Sequence, residues 1–113
     1  MLWHEDWSAQ EISPLYDVTC TTIYPEIDRE MGVSFGRSRR IDNVTREDIM
    51  TIARLCGVGE KFAGAELQTL LEEFPTVLEK AVMSIVEQGF PQAESLGERI
   101  RDSFIERRGR LDK

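Results

Sequence analysis

The chain has 113 residues, of which 41% are hydrophobic and 31% are charged, and its formal net charge is −7. This length suits one domain with a modest core. No apolar run approaches the roughly 18 residues that a membrane span needs, so the sequence indicates no membrane insertion. The N-terminus is acidic where a secretory signal is basic, and two cysteines, Cys20 and Cys56, are too few for a disulfide framework. We therefore expect a cytoplasmic protein.

The charges are unevenly distributed along the chain. Residues 1–30 carry seven acidic side chains and one basic one, whereas residues 31–46 reverse this balance with four arginines, Arg37, Arg39, Arg40 and Arg46. Solvated faces of one soluble domain account for most of this pattern. Nucleic-acid binding through these arginines and the basic tail at Arg107, Arg108 and Arg110 is disfavoured, because phosphate neutralisation conflicts with the overall acidity.

The first segment, residues 1–42, lacks helical periodicity. Leu2-Trp3 and the stretch from Trp7 to Ile12 predict two short strands around a polar turn. Ser13-Pro14 then requires an extended or turning backbone, and Met31 to Phe35, ending at Gly36, predicts a further short strand or an ordered loop. We expect an irregular segment with a short β-hairpin.

The second segment, residues 43–113, predicts a small bundle of about four helices, so that the fold class is mainly α and the two segments form one structural domain. Asn43 or Thr45 can cap the first helix, which Gly57 ends. The second helix starts near Glu60 and ends at Pro75, which opens a third helix that closes at Gln88-Gly89. Pro91 opens the last. Apolar residues recur at helical spacing in each; they are Ile49, Ile52, Ala53 and Cys56, then Ala63, Leu67, Leu70, Leu71 and Phe74, then Leu78, Ala81, Val82 and Ile85, and finally Ala93, Leu96, Ile100 and Phe104.

The sequence contains no complete active site. One histidine and two cysteines 36 positions apart give no zinc-ligand spacing, and neither a phosphate-binding loop nor a nucleophile signature is present. One segment suggests a chemical role. In it, Asp17 ends a strand-like stretch after the turn at Pro14, between large apolar side chains. Its carboxylate either faces a cleft or caps a local turn by accepting hydrogen bonds from downstream amides.

This segment resembles a known family. The order Ser13-Pro14-Leu15-Tyr16-Asp17, with Thr21 and Tyr24-Pro25 after it, is similar to the Ser-Pro-x-Tyr-Asp stretch of HipA-type serine/threonine kinases, the toxins of bacterial toxin–antitoxin pairs. The resemblance continues through residues 31–36 and 40–45 into the helices, and so covers nearly the whole chain as the C-terminal part of such a kinase. Arg37 departs from it, because the family usually has a second glycine after Gly36.

The resemblance implies specific roles. Asp17 corresponds to the metal-binding Asp of the kinase Asp-Phe-Gly motif and would hold Mg²⁺ against ATP phosphates, with Tyr16 beside it in the nucleotide site. The helices would correspond to the outer part of the large kinase lobe. The glycine-rich loop, the phosphate-pairing Lys and the catalytic loop lie N-terminal to the Tyr-Asp pair in the family, and this sequence contains none of them. We therefore expect no phosphotransferase activity and no tightly bound Mg²⁺ or ATP from this chain alone.

A second hypothesis is a small protein–protein interaction module. Its helical bundle would dock on a separate kinase half or a DNA-binding antitoxin, with Trp3, Trp7 and Tyr24 as interface anchors. Alternatively, these aromatic side chains fill the domain's own core.

Overall fold

The computed structural model describes residues 2–3, 10–15 and 19–112. Within them the chain is mainly helical, with three α-helices, α1 (Arg46–Leu55), α2 (Glu60–Glu87) and α3 (Ala93–Leu111). Two antiparallel strand pairs precede the helices: β1 (Leu2–Trp3) with β2 (Gln10–Glu11), and β3 (Glu30–Phe35) with β4 (Ser38–Arg40). The predicted mainly α fold with a short hairpin before it is thus confirmed.

The β3–β4 hairpin turns at Gly36-Arg37. Gly36 adopts a φ of +61°, the left-handed region that glycine enters without steric cost. Glu30 lies opposite Arg40 and Phe35 opposite Ser38, with an irregularity in register between the two pairs. Gly36 therefore supplies the positive φ at the first position of the turn, and Arg37 occupies the second.

A single carboxylate joins this hairpin to α1. Thr45 and Asp48 form a capping box, in which the Thr45 hydroxyl accepts from the Asp48 amide (3.3 Å) and the Asp48 carboxylate accepts from the Thr45 amide (2.9 Å). The same carboxylate accepts from the Arg37 amide (2.8 Å) and from the Ser38 hydroxyl (3.0 Å). These hydrogen bonds lower the pKa of Asp48 to about 2, the backbone amides of Arg37 and Thr45 contributing most. Asp48 therefore fixes the hairpin turn to the start of the first helix.

Helix α1 buries a face rotated from the predicted one. The sequence predicts an apolar face of Ile49, Ile52, Ala53 and Cys56, whereas the buried residues are Met50, Ala53 and the capping Asp48. Ile49 and Ile52 are half-buried and Cys56 is exposed. Helix α1 contacts both α2 and the hairpin strand β3, and these contacts rather than the spacing of apolar residues determine its buried face.

Helix α2 runs through Pro75, so the predicted break at this residue is wrong and the second and third predicted helices are one. Proline lacks the amide hydrogen that would reach the carbonyl four residues earlier. Leu71, which is buried, and Leu78 and Val82, which are half-buried, lie on the two sides of Pro75, and their packing on the neighbouring helices offsets that local cost.

Helices α2 and α3 form an antiparallel hairpin that Gly89 turns with a φ of +99°. They lie close together at Gly97, where a Cβ would lie 2.5 Å from the Val82 Cγ2 atom. Further along, the rings of Phe74 and Phe104 stack with their centroids 4.7 Å apart. This hairpin provides the scaffold on which the earlier segments are fixed.

The molecule buries little of its apolar surface. Ile12, Leu15, Val33 and Leu55 are each more than three-quarters exposed. Among the described residues, the fully buried hydrophobic ones are Met50, Ala53, Leu71 and Ala93. No helix within the described ranges is long and apolar enough to cross a bilayer. A large apolar surface is therefore exposed on the described residues.

Candidate functional site

The predicted metal ligand Asp17 and its nucleotide-site neighbour Tyr16 lie outside the described residues, as does Trp7 among the predicted interface anchors. Trp3 belongs to the described backbone of β1. The candidate site accordingly comprises the segment that closely follows Asp17 in the chain, residues 19–29, together with the elements that hold it.

A buried hydroxyl pair fixes this segment to α3. Thr21–Ile23 forms a 3-10 turn in which Thr22 is buried, and the Thr22 hydroxyl lies 2.6 Å from the Ser103 hydroxyl on α3. Two hydroxyls can satisfy each other in the interior because each acts as both donor and acceptor. The turn that follows the Tyr-Asp pair is thereby joined to a helix 81 positions later in the sequence.

Two arginines complete this anchor. Arg107 donates to the hydroxyls of Thr22 (3.3 Å) and Ser103 (3.1 Å) and, through Nε, to the Ser103 carbonyl (3.2 Å). Arg29 donates to the Thr22 carbonyl (3.0 Å) and to the Asp42 carboxylate (2.7 Å). The hydroxyl and the carbonyl of Thr22 are thus both satisfied by charge-assisted donors, which are stronger than neutral ones. We call Thr22, Arg29, Ser103 and Arg107 the Thr22 anchor.

Tyr24, the predicted interface anchor whose side chain the structure describes, lies at the edge of the Thr22 anchor. Its ring is covered on one face by the Arg99 guanidinium, whose Cζ atom is 5.7 Å from the ring centroid, and Arg99 also donates to the Ile23 carbonyl. Tyr24 nevertheless remains 42% exposed. It is therefore an available surface aromatic rather than a core residue.

A largely apolar cavity of about 320 Å³ lies beside the Thr22 anchor, between the hairpin and the ends of α1 and α3. Arg107 provides the single charged group of its lining, the remainder being Met31, Phe35, Ile41, Val44, Ile49, Phe104 and Leu111. Sequence reasoning missed this cavity. The sequence nevertheless contained an indication of it. Met31 and Phe35 are four residues apart on a predicted strand, which places both side chains on the same face.

The arginine-rich stretch does not form one free basic surface. Arg46 turns inward and donates to the carbonyls of Gly64 (3.4 Å) and Leu111 (3.5 Å), which ties α1 to the two longer helices. Arg39 pairs with Glu30 at 3.2 Å on the exposed side of the hairpin. Two of the four arginines in residues 31–46 are therefore engaged within the molecule.

The carboxylate of Asp17 has the hard-oxygen chemistry that Mg²⁺ requires. Within the described ranges, no group of three or more His, Cys, Asp or Glu side chains is arranged to hold a metal ion.

Comparisons with protein-family models, with curated proteins and with solved structures find no match to this chain. The family resemblance accordingly depends on the sequence motif alone.

Proposed function

We propose that this chain is the C-terminal part of a HipA-type serine/threonine kinase, in which Asp17 holds Mg²⁺ and the helices serve as scaffold. The observation that carries the proposal is the Ser13-Pro14-Leu15-Tyr16-Asp17 motif with Tyr24-Pro25 after it. The toxin–antitoxin setting and a cytoplasmic location belong to the same proposal, and the unpaired state of both cysteines, Cys20 and Cys56, is compatible with a reducing compartment.

The Thr22 anchor supports this proposal. A carboxylate that positions Mg²⁺ must belong to a backbone that does not drift, because phosphoryl transfer depends on positioning and charge stabilisation. Thr22 follows Asp17 by five residues, is buried, and is hydrogen-bonded to α3 through Ser103 and Arg107. Such an anchor shortly downstream of a metal-binding Asp is the arrangement that the proposed role requires.

The chain alone should be inactive, for a chemical reason. The base Asp, the phosphate-pairing Lys and the glycine loop supply most of the catalysis in a kinase, and the sequence has none of them. A single carboxylate without phosphate co-ligands gives feeble Mg²⁺ affinity. Phosphorylation of any protein by the purified 113-residue chain with labelled ATP would contradict this incompleteness.

The decisive experiment starts from the genomic DNA directly upstream of Met1. The proposal expects an open reading frame there that encodes an Asp followed five residues later by an Asn, the spacing of a kinase catalytic loop. The joined protein should then autophosphorylate, and Asp17→Asn should lower the rate by about a hundredfold or more, because the metal ligand is lost.

Asp28→Asn is the matched control for this experiment. Asp28 is an exposed carboxylate in the same segment and accepts one local hydrogen bond from the Glu30 amide (2.9 Å), which an asparagine oxygen can also accept. Its activity should equal that of the unmodified protein. An upstream region without such a frame, or equal activities for the two variants, would overturn the proposal.

An alternative is the interaction module, and the exposure of Tyr24 together with Leu15 and Ile12 favours it. In that case the first segment would be an interface for a kinase half or a DNA-binding antitoxin. Co-expression with the neighbouring reading frames should then yield a complex that Tyr24→Ala weakens about tenfold. A monodisperse monomer after such co-expression argues against an obligate partner.

A further inference from the structure

The longest helix carries a row of apolar side chains that remain largely exposed among the described residues. Leu70, Phe74, Val77 and Ala81 follow one another on α2 at intervals of four, three and four residues, the spacing of a coiled-coil seam. Leu70 is 66% and Val77 59% exposed, while Phe74 is covered on one side by Phe104. We call these four residues the α2 seam. A seam of this kind is the usual contact surface for a second helix.

We propose that the α2 seam binds the α2 seam of a second copy of this chain, with the two helices antiparallel around a two-fold axis between Pro75 and Thr76. This interface goes beyond the proposed function and does not depend on it. It also lies on α2, apart from the segment that carries Tyr24.

The pairing of large and small side chains favours the antiparallel arrangement. A two-fold axis at this midpoint places Leu70 level with Ala81 of the second copy, and Phe74 level with Val77 of the second copy. Each layer then combines a larger side chain with a smaller one. In a parallel pair, by contrast, Phe74 would meet Phe74 and Ala81 would meet Ala81, which alternates crowded layers with empty ones.

Charge complementarity independently selects the same orientation. Glu73 and Lys80 flank the seam on one side, and the antiparallel register brings Glu73 of each copy alongside Lys80 of the other. The symmetry produces this attractive pair twice. In a parallel pair these charges would instead face Leu78 and Ile85, which offer no opposite charge.

The register also limits the length of the contact. It brings Glu66 alongside Glu87 of the second copy, which is a like-charged and unfavourable pairing. We therefore expect the helices to cross, so that contact is confined to the central part of α2, about three turns, and the helix ends diverge. Four partly exposed side chains cover less than the roughly 800 Å² per partner of a standard interface. The dimer should consequently be reversible, with a Kd of about 10–100 µM.

The test is sedimentation velocity of the 113-residue chain from about 10 µM to about 1 mM, where the Kd above predicts a concentration-dependent dimer. Val77→Glu should weaken the dimer by at least about tenfold, because it buries a charge at the seam. Met83→Glu is the matched control: Met83 is 57% exposed on the same helix but lies away from the seam, so its dimer should be unchanged. Circular dichroism of both variants should retain the helical signal, and Leu70→Gln provides a second seam variant.

Charge exchange tests the orientation. Glu73→Lys or Lys80→Glu alone should weaken the dimer about three- to tenfold, because each converts two attractive pairs into two repulsive ones. The double exchange should restore the affinity to within about twofold, and the dimer should weaken at high salt. A monomer throughout the concentration range, a dimer that Val77→Glu leaves unchanged, or a double exchange that fails to restore affinity would overturn the proposal.

Discussion

Replacing Asp48 by Asn exchanges one carboxylate oxygen for an amide nitrogen, and we expect this small change to destabilise the folded chain strongly. Asp48 is only 6% exposed, and its two carboxylate oxygens accept from the amides of Arg37 and Thr45 and from the hydroxyls of Ser38 and Thr45. An asparagine has one accepting oxygen, so its amide nitrogen must face at least one of these donors. A buried donor left without a partner costs about 1–3 kcal/mol, and we expect a loss of about 2 kcal/mol in the free energy of unfolding.

Urea denaturation followed by circular dichroism measures this loss, and Asp28→Asn is the control because it makes the same chemical change in an exposed turn. For a chain of this size a loss of about 2 kcal/mol corresponds to a fall of roughly 8–15 °C in Tm. The control should change the free energy of unfolding by less than about 0.5 kcal/mol. If the two variants were equally stable, the carboxylate would not be the link between the hairpin and α1.

Acidification should remove the stabilisation that the ionised Asp48 carboxylate provides. The pKa of Asp48 is about 2 in the folded chain against 3.8 ordinarily, so the unfolded chain binds the proton more readily. The stabilisation is therefore complete above the unfolded pKa and disappears as the pH falls through the folded pKa, between about pH 5 and pH 2. One pKa unit corresponds to about 1.4 kcal/mol, and we expect about 1–2 kcal/mol from this source. The stability difference between the unmodified chain and Asp48→Asn should shrink over this range; a difference independent of pH would refute the assignment.

Four further substitutions test the fold. Gly36→Ala should cost about 2 kcal/mol or more in unfolding free energy, because the residue adopts a φ of +61° and a Cβ would lie 2.7 Å from the Asp48 Cα atom; a neutral result in urea denaturation would contradict the turn geometry. Ser103→Ala should cost about 1 kcal/mol, and combining it with Thr22→Val should cost less than the sum of the two single changes, which a double-mutant cycle measures. Additive losses would show that the two hydroxyls do not interact. Pro75→Ala should raise Tm by several degrees, because alanine restores a hydrogen bond inside α2; a lowered Tm would mean that the proline ring contributes more through packing than it costs.

The exposed apolar surface is compatible with both the kinase proposal and the proposed dimer. The two proposals are independent of each other. A segment of a larger kinase and a chain that pairs with a second copy would both leave apolar side chains uncovered in the isolated monomer. The two are separable because they concern different residues. Asp17→Asn affects only the kinase proposal, and Val77→Glu affects only the dimer.

Much of the local structure could be predicted because it depends on short-range interactions. The helix cap was predicted at Asn43 or Thr45, and Thr45 occupies it. This cap, the end of α1 before Gly57 and the turn at Gly89 each depend on hydrogen bonds or backbone conformations within a few residues. The sequence predicts either a short strand or an ordered loop at residues 31–35. The structure has a strand at Glu30–Phe35, which begins one residue earlier. For the candidate site, the sequence supplied the motif around Asp17 and its chemical hypothesis, which remains a prediction.

The sequence by itself determined where most helices and turns begin and end, since capping and glycine conformation act between near neighbours. Only the tertiary structure decided that α2 continues through Pro75, that Met50 rather than Ile52 is buried, and that Thr22 is joined to Ser103. These outcomes depend on which surfaces meet across long separations in the chain, and the spacing of residues along one element carries no information about its partner.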